Sequence, residues 1–357
     1  MSDLSPAASW FEQLFGFREQ AYAVTQSRFT VEGSTLRSNA NGRSFAIGTF
    51  TTPTLASLRA ATKNAARGSL RITHESIGDV LKLHARPENR GALFQVASQF
   101  NCLEFAGPSV VPERGITGYA TDATQGPACS LAAAAATVYR NYFVPIGGIA
   151  GQTHDRQLDT LDGLAATLGA PGEYWRIVNG YTHSDEARLK RLAAALAVHD
   201  RETLLGAIKI GLHTNVGVDF AARFSEPTAP TNVSQAFCSA ISCGYSQVGL
   251  DHWAPLATLV LDAAYEATLL AALLSAEQPG VTPVGPRKVW LTFLGGGAFG
   301  NRTEWIGGAI GRALARVEGT ALDVRIAHYH RVNVRIEQEV ARARLAALAE
   351  LGHGPRH

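Results

Sequence analysis

The stretch Val289–Asn301, read as VWLTFLGGGAFGN, limits the possible folds more than any other part of the chain. An apolar run of strand length ends in Gly295, Gly296 and Gly297. A Phe-Gly-Asn turn follows, and then a helical pattern over Arg302–Val317 with Trp305, Ile306, Ala309, Ile310 and Ala313 on one face. Glycines let a ligand approach the main chain, and the helix behind them offers unpaired N–H groups and the positive end of its dipole. Strand, glycine loop and helix N-terminus together can form a diphosphate cradle. The same pattern can also be only a tight connection. Its spacing is not the dinucleotide fingerprint, and the absence of a following Lys-Ser or Lys-Thr excludes a P-loop. Phe299, a large aromatic at the tip of the loop, is costly to leave in water, so it packs inward or stacks on a ligand ring.

The remainder of the chain repeats the alternation of strand and helix. Polar residues close the buried-strand pattern of residues 91–101, GALFQVASQFN, at the carboxyl end where open α/β sheets place ligands. Before it, residues 69–84 read as a strand and a turn, with Asp79 as N-cap of a short helix. Residues 102–122 form a long loop carrying Glu104, Glu113, Tyr119 and Asp122, and its apolar residues argue for order. A helix is expected over Thr124–Tyr142, with Gly126 opening its start to a ligand. Further on come a buried strand within 233–245, the longest helix at Trp253–Leu274, a strand at Leu322–His328 and a charged helix at Val334–Leu351.

This order predicts a central, mixed but mostly parallel sheet with helices on both faces. Residues 1–67 read as an N-terminal extension, with a helix over Trp10–Tyr22, a strand-like Arg28–Phe50 and a helix over Thr54–Ala66. Residues 145–232 read as an insertion with helices over Gln157–Leu168 and Asp185–His199. Its strands are expected over Glu173–Tyr181 and Ala207–Leu212, and Pro227 and Pro230 close it. The core is expected over 68–330, with a C-terminal helix and tail over 331–357.

Composition narrows the function classes. A net charge of +2 gives no electrostatic footprint for nucleic acid or an anionic membrane. The four cysteines have no metal-type spacing, which suggests reduced, buried thiols and no metal or cofactor requirement. Asp262 and Glu266 inside Trp253–Leu274 suit a buried helix better than a membrane span. The N-terminus lacks the pattern of a secretory signal, so a soluble cytoplasmic protein is expected.

Four segments in order, SLRITHESIGDVLKLH, GALFQVASQFN, TQGPACSLAAAAATVYRNY and LTFLGGGAFGN, resemble the signature of a macrodomain, in the branch containing poly(ADP-ribose) glycohydrolases. The resemblance covers roughly residues 68–143 and 233–330. It implies a three-layer α/β/α fold and an ADP-ribose ligand. Asp79 would accept from the adenine amino group, with Val80 beside it. Gly295, Gly296, Gly297, Ala298 and Phe299 would hold the diphosphate through main-chain N–H groups, with Gly300 and Asn301 finishing the turn. Ser98, Gln99 and Asn101 would lie near the terminal ribose, with Thr124, Gln125 and Gly126 at the facing helix start. Glycohydrolases of the branch follow this glutamine with two glutamates, whereas here Gly126 and Pro127 follow Gln125. The TQGPAC variant resembles a subgroup that removes ADP-ribose from arginine side chains.

Cleaving an N-glycosidic bond at the ribose needs a carboxylate to orient or deprotonate water. Asp122, just before the helix start, is the expected base, although an Asp there also serves as a helix cap. Glu104 is the expected partner for a guanidinium leaving group. Tyr119, Tyr245 and Phe299 are candidates to stack on adenine or ribose, while His74, His84 and His154 read as structural or exposed. The main expectation is a hydrolase that removes ADP-ribose from modified protein, with arginine as the linkage. The alternative is an ADP-ribose reader that binds without turnover. A nucleotide-sugar or dinucleotide enzyme fits the loop spacing poorly.

Overall fold

The computed structural model describes residues 9–65, 67–224, 231–275 and 287–352. The chain opens with α1 (Trp10–Phe15) and α2 (Tyr22–Ser27), then β1 (Phe29–Glu32), β2 (Thr35–Ser38), β3 (Ser44–Ala46) and β4 (Thr49–Thr51). The single helix expected over Trp10–Tyr22 is cut at Gly16, whose φ of +80° ends α1 and returns its N–H to the Glu12 carbonyl. Next come α3 (Leu55–Ala61), β5 (Arg71–Ile77), α4 (Val80–His84) and β6 (Leu93–Ala97). Helix α3 ends short of the expected Ala66, which lies outside the described residues.

The long loop that follows contains two 3-10 turns, Pro112–Arg114 and Thr117–Thr121. The helix expected over Thr124–Tyr142 is two helices, α5 (Gln125–Ala132) and α6 (Ala134–Tyr142). They are hinged at Ala133, whose φ and ψ of −114° and 66° are not helical. The small hairpin β7 (Pro145–Ile146) and β8 (Ile149–Ala150) leads to α7 (Asp162–Thr167), shorter than the expected Gln157–Leu168.

The single strand expected over Glu173–Tyr181 is a hairpin, β9 (Arg176–Val178) and β10 (Tyr181–His183), turned at Asn179-Gly180 with both residues at positive φ. Helices α8 (Glu186–Val198) and α9 (Arg201–Ala207) are capped by Asp185 and Asp200. Helix α9 occupies the start of the expected Ala207–Leu212 strand, so the strand itself, β11, runs Gly211–Gly217. Pro227 and Pro230 lie outside the described residues. The chain ends with β12 (Asn232–Cys238), α10 (Leu250–Ser275), β13 (Arg287–Leu291), α11 (Thr303–Arg316), β14 (Leu322–Tyr329) and α12 (Val334–Glu350).

Among the described residues these strands form a seven-stranded sheet in the order β4-β11-β12-β6-β13-β14-β5. The five strands from β12 to β5 are parallel, and next to them β11 pairs antiparallel with both β12 and the edge strand β4. The mixed, mostly parallel sheet flanked by helices is the architecture the alternation predicts. The boundaries differ, because β4 from the expected extension and β11 from the expected insertion both hydrogen-bond into this sheet. The strand pairing that closes the sheet edge is long-range, so local pattern does not announce it.

Helix α10 lies along one face as the spine of the largest apolar cluster, with Trp253, Leu256, Val260 and Leu269 buried. It is apolar and long enough to cross a membrane, yet 94% of the relevant window is covered by the rest of the protein. Its Asp262 and Glu266 are buried against Arg312, Arg201 and Arg59, which satisfies charges that burial would otherwise penalise. A second cluster joins Phe11, Phe15, Phe29 and Phe45 of the N-terminal layer to Leu103, Tyr119 and Tyr142.

Candidate functional site

Parallel strands leave their carboxyl ends on one side of a sheet, and here β5, β6, β13 and β14 open onto a cavity of about 380 Å³. Its apolar part includes Phe94 and Trp290, whose rings are 6.3 Å apart and nearly parallel at 9°. The polar lining includes Asp79, Gln95, Asp122, Gln125 and Thr292. Tyr329, 73% exposed, also belongs to the lining, at the end of β14.

Each wall has a local cause. Asp79 Oδ1 accepts the Lys82 N–H at 3.1 Å, so the expected cap is formed and Val80 begins the helix beside the cavity. Gln95, buried in mid-strand, accepts the Thr292 N–H at 3.2 Å and donates to Thr268 Oγ1 at 2.9 Å, fixing the end of β13 where the glycine loop departs. Gln125 accepts the Ala97 N–H at 2.8 Å and donates to the Gln95 carbonyl at 2.8 Å, joining the start of α5 to β6. Asp122 Oδ1 accepts from the Thr124 N–H at 2.9 Å and the Thr124 hydroxyl at 2.6 Å, and the residue is half-buried.

The glycine loop follows Thr292. Asn301 braces it from within: its N–H donates to the Gly295 carbonyl at 2.9 Å and its amide to Ile241 at 2.7 Å. Gly295 at φ +71° and Gly300 at φ +69° need the left-handed region, and a side chain on Gly295 would strike Ala240. Gly297, by contrast, has open space around it. The Gly296 and Gly300 N–H groups close turns inside the loop. Among the described residues, the N–H groups of Gly295, Gly297, Ala298 and Phe299 make no hydrogen bond within the protein. Helix α11 then begins without a side-chain cap. Unpaired main-chain donors at an uncapped helix start attract an anion.

Phe299 neither lies free nor sinks into the core. Its ring sits 5.5 Å from Tyr181 and 5.8 Å from Tyr245, in tilted and edge-on contact. Burial holds the Tyr181 hydroxyl protonated, with smaller contributions in the same direction from Tyr245 and from the charge of Asp122. The glycine loop leaves the carboxyl end of β13, at the end of the sheet where the cavity lies, but residues 295–299 are not among those that line the cavity.

Other expected site residues serve the fold. Gln99 donates to the Phe105 carbonyl at 3.0 Å and accepts the Phe105 N–H at 3.1 Å. Asn101 accepts the Leu103 N–H at 3.1 Å and donates to Gln157 at 2.9 Å. Ser98 donates to the Gln99 carbonyl at 3.0 Å. These three buried side chains shape the turn after β6 rather than line the cavity. Gly126 is also buried, because a side chain there would run into the Ala97 carbonyl; its smallness lets α5 seat on β6 and leaves no opening for a ligand.

Glu104 is the clearest correction. It is 2% exposed, and its partner is the chain's own Arg140, a fully buried guanidinium 3.4 Å away. Arg140 is further fixed by Ser130 at 2.9 Å, Thr137 at 3.1 Å and the face of Phe237. Burial pushes the Glu104 carboxyl up to about 7 against the pull of Arg140, and its Oε1 has no partner. Sequence spacing places this glutamate on a loop but cannot show that Leu103 and Phe105 draw the loop inward.

Sequence reasoning missed Gln95, Thr292, His328, Tyr329 and Tyr181. The positions of His328 and Tyr329 at the end of a parallel strand are a signal that could have found them. His74 is not partnerless: its Nδ1 lies 2.8 Å from His328 Nε2, and His328 Nδ1 accepts the Asn333 N–H at 3.1 Å. That bond places the neutral His328 proton on Nε2, donating to His74. Burial lowers the pKa of both rings.

No protein-family model matches the chain, and no curated protein matches it. Among solved structures it is similar to poly(ADP-ribose) glycohydrolase from Deinococcus radiodurans in complex with ADP-ribose. The TM-score is 0.41 at 14% identity, over 85% of this chain and 94% of that one. The glycohydrolase from Thermomonospora curvata gives 0.40 at 15% identity, over 90% of this chain and 95% of that one. Similarity of this degree carries neither activity nor residue roles across to this chain.

Proposed function

We propose that this chain binds ADP-ribose and hydrolyses the N-glycosidic bond joining it to a modified protein side chain, with arginine as the linkage. The observation that carries the reading is the set of unpaired N–H groups at Gly295, Gly297, Ala298 and Phe299, in the loop that leaves the end of β13; that strand also helps line a cavity holding Phe94, Trp290 and the acidic turn at Asp122. A diphosphate suits the N–H loop, where each charge-assisted hydrogen bond contributes about 1.5–3 kcal/mol. A flat base suits the aromatic part of the cavity between Asp79 and Trp290.

In the hydrolytic step the ribose C1–N bond breaks through an oxocarbenium-like state, and water supplies the hydroxyl at C1. Asp122 takes one proton from that water and, once the C1–N bond has broken, gives it to the leaving nitrogen, which restores the carboxylate. Thr124 holds one oxygen of Asp122, and the other makes no hydrogen bond among the described residues. The arginine linkage draws its support from the TQGPAC resemblance alone, since Glu104 grips Arg140 and is not free for a substrate guanidinium.

The engagement of Glu104 also favours a second reading, a binder without turnover. Calorimetric titration with ADP-ribose and release of ADP-ribose from arginine-modified protein separate the two. The hydrolase reading expects Asp122→Ala to lose at least ~100-fold in kcat, in line with general-base contributions, while keeping ADP-ribose affinity. Wild-type protein that binds but never releases ADP-ribose leaves the reader. Protein that does not bind ADP-ribose sinks both.

A further inference from the structure

The turn that ends at Asp122 is held by a residue 98 positions before Thr117 in the sequence. Glu19, in the connection between α1 and α2, accepts from the Ile116 N–H at 2.8 Å, the Thr117 N–H at 2.7 Å, the Thr117 hydroxyl at 2.5 Å and the Tyr142 hydroxyl at 2.8 Å. Its carboxylate lies directly against Gly115. That glycine has φ +77°, and a side chain there would overlap the Glu19 carboxyl carbon. Trp10 donates from Nε1 to the Thr117 carbonyl at 2.9 Å, so the N-terminal layer grips the same residue from a second point.

The clamped residues lead directly into the 3-10 turn Thr117–Thr121, which delivers Tyr119 and Asp122 to the cavity wall. Tyr119 in turn accepts the Glu104 N–H through its hydroxyl at 2.8 Å. Four donors converging on one carboxylate define the turn's position far more narrowly than a flexible loop does on its own, because each hydrogen bond is directional and charge-assisted.

We propose that Glu19 is a positioning residue, whose carboxylate sets the acidic turn, and so Asp122, against the bound ribose. This rests on the hydrolase reading above. The N-terminal layer is then part of the active unit, although none of its described residues lines the cavity beside Asp122.

The experiment compares wild type, Glu19→Gln and Thr117→Val. It measures kcat and KM on arginine-ADP-ribosylated protein, ADP-ribose affinity by calorimetry, and amide hydrogen exchange at Ile116 and Thr117. Glutamine keeps one acceptor but turns an amide toward the N–H groups, and valine removes only the hydroxyl donor. Expected for Glu19→Gln is a loss of tenfold or more in kcat, KM and ADP-ribose affinity within about twofold, and faster exchange at Ile116 and Thr117. Thr117→Val should show a smaller loss of the same kind, which keeps the test open if Glu19→Gln does not fold. Faster exchange with kcat unchanged in both variants overturns the positioning role and leaves the hydrolase reading intact. Equal loss in kcat and in ADP-ribose affinity also overturns it, since that marks general loosening. A wild type that binds but does not turn over overturns the hydrolase reading itself, and the proposal falls with it.

Discussion

At Gly297 the main chain is bare, with open space where a side chain would project. A carboxylate placed there faces the same N–H groups that a diphosphate needs. Gly297→Asp is therefore expected to weaken ADP-ribose binding by at least ~10-fold, the scale of one charge-assisted hydrogen bond, with thermal stability unchanged. Unchanged affinity in that variant would remove the loop from the ligand site. His84 poses the opposite case, a buried group with all its contacts inside. Its Nδ1–H donates to the Val80 carbonyl at 2.7 Å, and its ring stacks on Phe94 at 3.8 Å. Burial lowers its pKa to about 4. The native state therefore binds fewer protons than the unfolded chain between pH 6.5 and about 4. The stability His84 contributes is complete above pH 6.5 and lost as pH falls toward 4, at up to ~1.4 kcal/mol per pH unit. Urea titrations of wild type and His84→Gln over that range should differ by this slope, and parallel curves would mean the ring titrates freely.

Among the elements, the junction of α5 and α6 decides how the helix beside the cavity is seated. Alanine-rich sequence gives no reason for a break at Ala133, and the break is stabilised from elsewhere. Asp219, between β11 and β12, accepts the Ala134 N–H at 2.7 Å and the Ala135 N–H at 2.9 Å, capping α6 from a distance of more than eighty residues in sequence. Asp219→Ala should cost about 1–2 kcal/mol, the usual effect of losing a helix cap, and lower the midpoint of a thermal melt by several degrees. A melt identical to wild type would mean that water replaces the carboxylate at no cost. Helix α11 illustrates the reverse design: it has no side-chain cap, and its start adjoins the unpaired N–H groups of the loop. A capped helix is anchored by its own chain, whereas an uncapped one has donors left for a ligand.

For the molecule as a whole, residues 9–51 are integral. They supply β4 at the edge of the sheet, the aromatic cluster around Phe11 and Phe15, and Glu19. A chain beginning at residue 53 would expose the outer edge of β11 and the apolar faces of Leu103 and Tyr142. Such a fragment is expected to aggregate or to lose its cooperative melt, as size-exclusion chromatography and calorimetry would show. A soluble monomer with a sharp transition would make the N-terminal layer dispensable.

Strand and helix periods are local, so the alternating α/β order, the parallel sheet, the Asp79 cap and the glycine loop ahead of α11 were all legible in the residues themselves. Of the three consecutive glycines only Gly295 takes a positive φ, and the second such position in the loop is Gly300, so the glycine run marks the loop but not which of its residues needs the left-handed region. What the residues could not reveal was which side of the chain each loop would face. Glu104 and Asp122 sit on one loop with the same chemistry, yet one is sealed against Arg140 and the other is half-buried in the cavity wall. That division follows from where Leu103, Phe105 and Tyr119 find apolar partners, most of them far away in sequence. Burial is a property of the assembled fold, because it depends on contacts whose sequence separation no local pattern encodes.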